Sequence, residues 1–251
     1  MYPLTAASIA YLALICSAIM APTAPASAHA STANNECVIL LHGLGRTSGS
    51  MQFMEKFLAK SGYRTVNRSY PSTSLPIEEV ADKYVPHFID DCGGQAVRIH
   101  FVTHSLGGII LRYYLQFNDL PEGSRIVMLS PPNQGSELAD RFRDQIWYQW
   151  LMGPSGQQLT TDAESLPNRL GPIRLEVGVI AGRKTLEPWF SWMIPGEDDG
   201  KVSVDHARLS EMKDFLVVDH GHSFIMNSQE VKKQVRHFLE FGYFLKPTNN
   251  D

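Results

Sequence analysis

The stretch from Ala96 to Gly108 constrains this chain more than any other. Residues 96–102 (AVRIHFV) are rich in β-branched and aromatic side chains and read as a short buried strand. Residues 108–115 (GIILRYYL) read as a helix with an apolar face. Between them stands Ser105, in Thr103-His104-Ser105-Leu106-Gly107. A serine set between a strand and a helix, with glycine two residues later, has the layout of a nucleophile elbow. The turn is sharp, the serine Oγ stands above the sheet, and Gly107 lets the helix start close by. The usual string is G-x-S-x-G, and Thr103 takes the place of its first glycine. A string this short occurs by chance, so the rest of the chain must decide its meaning.

That remainder alternates. Residues 38–41, 63–70, 125–129, 175–181 and 215–218 also read as strands. Met51, Met54, Phe57 and Leu58 recur at helical spacing, and so do Ile77, Val80, Ala81, Tyr84, Val85 and Phe88, where Pro86 predicts a kink. A last amphipathic helix spans residues 231–241. Strand and helix in turn predict an α/β fold: a mostly parallel central sheet with helices on both faces. The 251 residues suffice for one such domain, over residues 37–245. Net charge is −4 with lysine and arginine scattered, which excludes a nucleic-acid surface.

Residues 1–30 differ from the rest. Ile9 to Met20 is almost wholly apolar and is followed by a Pro/Ala/Ser-rich run with the cleavage-like strings Ala26-Ser27-Ala28 and Ala28-His29-Ala30. The apolar run is short for a membrane span of about 20 residues. It reads as a secretory signal peptide, although no lysine or arginine precedes Arg46. Export to the periplasm or the medium is expected, with an uncleaved membrane anchor as the alternative. Cys16 follows Ile15 where lipid attachment wants a small residue. In an exported chain the other two cysteines, Cys37 and Cys92, suit a disulfide at the end of the sheet away from any chemistry, with two free buried thiols as the alternative.

A serine hydroxyl needs a histidine to take its proton and a carboxylate to orient that histidine. In this architecture the order along the chain is Ser, acid, His. Ser105 is the candidate nucleophile, and Asp199 in Pro195-Gly196-Glu197-Asp198-Asp199-Gly200 is preferred as acid over Asp198 and Glu197. His222 is preferred as base over His220, because Phe224-Ile225-Met226 would anchor it. Asp205, Asp219, His87, His206 and His237 read as surface or capping residues. Residues 38–45 run from a strand into a glycine-bearing loop whose backbone N–H at Leu44 or its neighbour could meet an oxyanion, with the Leu106 N–H as second donor. His42 braces that loop. Residues 137–171 carry Trp147 and Trp150, which are candidate substrate contacts or a partial lid, with plain core packing as the alternative. His104, beside the serine, is a third candidate substrate contact. The nine histidines show no H-E-x-x-H spacing, the cysteines are too few and separated for zinc, and no G-x-G-x-x-G occurs, so no metal or cofactor is expected.

Val38-Ile39-Leu40-Leu41-His42-Gly43, Thr103-His104-Ser105-Leu106-Gly107-Gly108, Asp199-Gly200-Lys201-Val202 and His222-Ser223-Phe224 together resemble the α/β-hydrolase superfamily, and within it the small bacterial lipases and esterases. The resemblance covers residues 37–244, and the chain has no room for a large cap domain. It implies a serine hydrolase of carboxylic esters acting through Ser105, Asp199 and His222, on a small-molecule or lipid ester, with a transient contact to a lipid interface. Transfer to an alcohol or cleavage of a peptide bond on the same triad are alternatives, and so is a non-catalytic binding protein of this fold.

Overall fold

The computed structural model describes residues 35–185 and 187–246; the expected signal peptide and Cys16 lie outside them. Six parallel strands form one sheet: β1 (Glu36–Leu41), β2 (Arg64–Asn67), β3 (Arg98–His104), β4 (Arg125–Leu129), β5 (Glu176–Gly182) and β6 (Asp214–Val218). Their spatial order is β2-β1-β3-β4-β5-β6. The chain steps outward from β1 to β2, then crosses back to place β3 on the other side of β1. Loops leaving β1 and β3 therefore diverge at their carboxyl ends, where ligand crevices form in such sheets.

Side chains alternate across the sheet and feed two cores. Ile39, Leu41, Phe101 and Met128 pack on one face with α2 (Ile77–Asp91) and α3 (Leu106–Tyr114). Val38, Leu40, Val102 and Val127 pack on the other with α1 (Gln52–Lys60) and α8 (Gln229–Phe241). The inner strands β1, β3, β4 and β5 are buried on both sides, which is why their residues are mostly apolar, whereas the edge strands β2 and β6 are only partly buried. Helix α2 runs through Pro86 to Asp91 as one element.

The second strand is shorter than its sequence predicts. It ends at Asn67 because the next residues turn from the sheet toward the loop after β1, where Tyr70 bonds to His42. Cys37 in β1 and Cys92 at the end of α2 form a disulfide, Cα atoms 5.8 Å apart, beside the amino-terminal ends of β1 and β3.

Residues 137–171 form α4 (Glu137–Phe142), α5 (Ile146–Gln157, kinked at Gly153) and α6 (Leu166–Arg169). This insertion is tied to the start of α2: the Ser155 hydroxyl donates to the Leu75 carbonyl at 2.7 Å, and the Ile77 N–H donates to Gln158 Oε1 at 2.8 Å. A short helix, α7 (Pro188–Ser191), follows β5. Among the described residues no helix is long and apolar enough to cross a membrane.

Candidate active site

Ser105 occupies the sharp junction of β3 and α3 with φ 51° and ψ −122°, a backbone state that a residue with a Cβ adopts only under constraint. The constraint is visible. Its N–H donates to the Leu129 carbonyl at the end of β4, and its own carbonyl accepts from Gly108, both at 2.9 Å. Gly107 lets α3 begin against β1: a Cβ there would stand 2.7 Å from the Leu41 carbonyl oxygen and 2.9 Å from that of His42. Thr103, in the place of the usual glycine, belongs to β3 and is fully buried there, as a β-branched strand residue can be.

The loop after β1 is held by its own histidine. The His42 ring stacks on Tyr70, centroids 3.8 Å apart and planes 8° from parallel. The Tyr70 N–H donates to His42 Nε2 at 3.2 Å, and the Tyr70 hydroxyl donates to the His42 carbonyl. His42 Nδ1–H in turn donates to the Gly43 carbonyl at 2.9 Å. Burial lowers the basicity of this imidazole, which fits its Nε2 acting as an acceptor. Among the described residues the N–H groups of Leu44 and Leu106 donate to no protein acceptor.

Asp199 and His222 come together from the loops after β5 and β6. His222 Nδ1–H donates to Asp199 Oδ2 at 2.9 Å, and the backbone N–H of His222 donates to the Asp199 carbonyl at 3.0 Å. Asp199 Oδ1 accepts from the N–H groups of Lys201 (3.1 Å) and Val202 (3.0 Å). The carboxylate is thus held by three donors, and the imidazole is fixed through Nδ1 with Nε2 free of that bond. Asp198, its neighbour, is buried too but faces elsewhere: its Oδ1 accepts from the Ser191 hydroxyl at 2.6 Å and the Gly200 N–H at 2.7 Å, bracing α7. His220 meets the Ser228 hydroxyl at the start of α8, and Asp219 pairs with Arg183 and Lys184.

Ser105, His104 and His222 line one cleft of about 180 Å³, with Leu44 at its edge. Its opposite wall is apolar and comes from the insertion: Leu138, Phe142, Trp147 and Met152. Trp150 stands outside the cleft, contrary to expectation. Helix α5 turns Trp147, Tyr148 and Met152 inward and leaves Ile146 and Trp150 on its outer side, where Trp150 is 86% exposed. His104 has a part the sequence does not announce: its Nε2–H donates to the backbone carbonyl of His222 at 3.0 Å.

The model of the alpha/beta hydrolase family matches residues 38–233, from the first strand into the last helix. This chain belongs to that family. No curated protein sequence matches it. Among solved structures it is similar to the mature Bacillus licheniformis lipase BlEst2, at 19% identity and TM-score 0.62 over 82% of this chain and 92% of that one. It is similar to the metagenomic carboxyl esterase MGS0156, at 18% identity and TM-score 0.58 over 75% of this chain and 65% of that one. Phospholipase PlaB from Legionella pneumophila shares 18% identity at TM-score 0.54, over 69% of this chain and 45% of the phospholipase. At these identities the likeness is one of fold.

Proposed function

We propose that the protein hydrolyses carboxylic esters by two-step acyl transfer, with Ser105 as nucleophile, His222 as general base and Asp199 as the acid that orients it. The observation that carries this reading is the His222–Asp199 pair. With Nδ1 committed to Asp199 Oδ2, Nε2 is the His222 nitrogen left for the cleft that Ser105 lines, where it can take the serine proton. Ser105 Oγ adds to the ester carbonyl as its proton passes to Nε2, and the oxyanion meets the N–H groups of Leu44 and Leu106. Collapse expels the alcohol, which takes that proton. Water then adds to the acyl-enzyme by the same route and releases the acid.

The apolar wall of Phe142, Trp147 and Met152 suits the acyl half of the substrate. Ile146 and Trp150 on α5 are exposed beside Trp147 of this wall and support a transient contact with a lipid interface. The Cys37–Cys92 bridge supports an oxidising compartment, periplasmic or external.

A fluorophosphonate probe followed by peptide mass spectrometry tests the assignment. Labelling is expected on Ser105, and Ser105→Ala is expected to lower ester hydrolysis by at least about a thousandfold. A folded protein that neither labels at Ser105 nor cleaves p-nitrophenyl esters would be a binding protein instead.

A further inference from the structure

The proposed cleft has a charge pattern that ester hydrolysis alone does not require. The chain carries a net charge of −4, yet among the described residues no carboxylate lines this cleft, while Arg46 and Lys201 both do. Lys201 is half-neutralised, its Nζ 3.0 Å from Glu187 Oε2. Other cations nearby are also spoken for: Arg183 pairs with Asp219 and Glu197, and Lys184 with Asp219. Arg46 differs. Among the described residues its guanidinium has no carboxylate partner and donates no side-chain hydrogen bond; it lies over the Phe224 ring, 5.9 Å from the centroid. It is half-buried, so part of its hydration is lost with an aromatic face but no anion in exchange.

Position says which half of a substrate Arg46 would meet. The apolar wall lies on the side of α4 and α5. Arg46 stands on the loop after β1 and also lines the adjoining depression with His222 and Phe224; the carboxylates there, Glu187, Asp199 and Asp219, are already paired with Lys201, His222 and Arg183. If His222 protonates the departing alcohol, as the proposed function has it, the alcohol must leave on the side that His222 and Arg46 share.

We propose that the alcohol half of the natural ester carries an anionic oxygen group, a phosphate or a carboxylate, and that Arg46 binds it. A guanidinium presents paired N–H donors that match both groups, and Lys201, which lines the same cleft, adds positive potential. This inference rests on the ester-hydrolase reading and narrows its substrate class.

The test compares esters that share an acyl chain and differ in charge on the alcohol, used as monomers below their micellar concentrations. One pair is monolauroylglycerol phosphate and monolauroylglycerol; the other is lauroyl lactate and lauroyl lactamide. The wild-type protein is expected to favour the phosphate-bearing ester over its neutral partner by about tenfold or more in kcat/KM. Arg46→Gln should bring that ratio close to one, Arg46→Lys should restore part of it, and high salt should shrink it in the wild type. A matching preference for lactate over lactamide would make any compact anion the ligand; its absence would assign the site to phosphate. A wild-type ratio near one, or a ratio that Arg46→Gln leaves unchanged while the esters are still cleaved, overturns the inference and leaves the hydrolase standing. No turnover of any of the four esters would overturn the hydrolase reading, and the inference with it.

Discussion

At the scale of single residues, His104 joins three loops that the chain brings from far apart. It ends β3, its Nε2–H holds the carbonyl of His222, and its Nδ1 stands 2.8 Å from the Cβ that Gly43 lacks. Burial, together with the positive charges that His222 and Arg46 can bring, holds the His104 imidazole well below its ordinary basicity. A neutral ring with one donor, spent on His222, leaves Nδ1 buried without a partner. A substrate contact, the role its sequence position suggested, would leave that bond to the His222 backbone unexplained. As a positioning residue, His104 should matter for kcat more than for KM. His104→Leu is expected to lower kcat about tenfold, the worth of one buried hydrogen bond and some loosening, with KM changed less than about twofold. His104→Gln, which can offer an amide N–H at nearly the same reach, should recover most of it. Steady-state kinetics of the two variants decide the matter: equal losses in both, or a loss confined to KM, would return His104 to substrate binding.

At the scale of elements, all six strands were legible: the inner ones because burial on both faces leaves largely apolar runs, and the edge strands β2 and β6 from β-branched or apolar residues between turns. What the sequence could not show was where an element yields to a tertiary contact. Residues 68–70 continue the strand pattern of β2 but leave the sheet to reach His42, and Trp150 keeps the spacing of an inward residue but faces solvent. The sequence preferred Asp199 to Asp198 but could not show the role of the second: both are buried, and the direction of each side chain separates the partner of α7 from the partner of His222. The Cys37–Cys92 bridge, which the sequence left open, clamps α2 to the base of β1 across a separation of 55 residues. Closing a loop of that length in the unfolded chain is worth about 4 kcal/mol in the chain-entropy account. The double variant Cys37→Ser, Cys92→Ser should therefore unfold at a markedly lower urea midpoint. Its ester turnover at room temperature should stay close to that of the wild type, because the bridge lies at the end of the sheet opposite Ser105. An unchanged midpoint would show that the packing of α2 alone fixes this edge.

For the whole molecule, the nine histidines are equal in the sequence but not in the fold. His42 and His104 are buried at the two loops around Ser105, and burial lowers the basicity of both. An unfolded histidine takes up a proton near pH 6.5, whereas these two resist it in the native state. Between that pH and their depressed folded values the unfolded chain binds more protons than the native one. Stability from this source is therefore complete above about pH 6.5 and is lost as the pH falls below it, at up to about 1.4 kcal/mol per pH unit for each ring. The carboxylates cannot produce the same trend in the same range. Those held low by their partners, such as Asp219 beside Arg183 and Lys184, lose their contribution only below about pH 4, where the unfolded carboxylates titrate. Urea unfolding at pH 7.5, 6.5 and 5.5 is thus expected to show a loss of roughly 1–3 kcal/mol on the acid side. His104→Leu, lower in stability throughout, should show a shallower loss because one of the two resisting rings is gone. A stability that stays level between pH 7.5 and 5.5 would mean that these imidazoles reach solvent by local opening, and that the loops around Ser105 part before the sheet beneath them does.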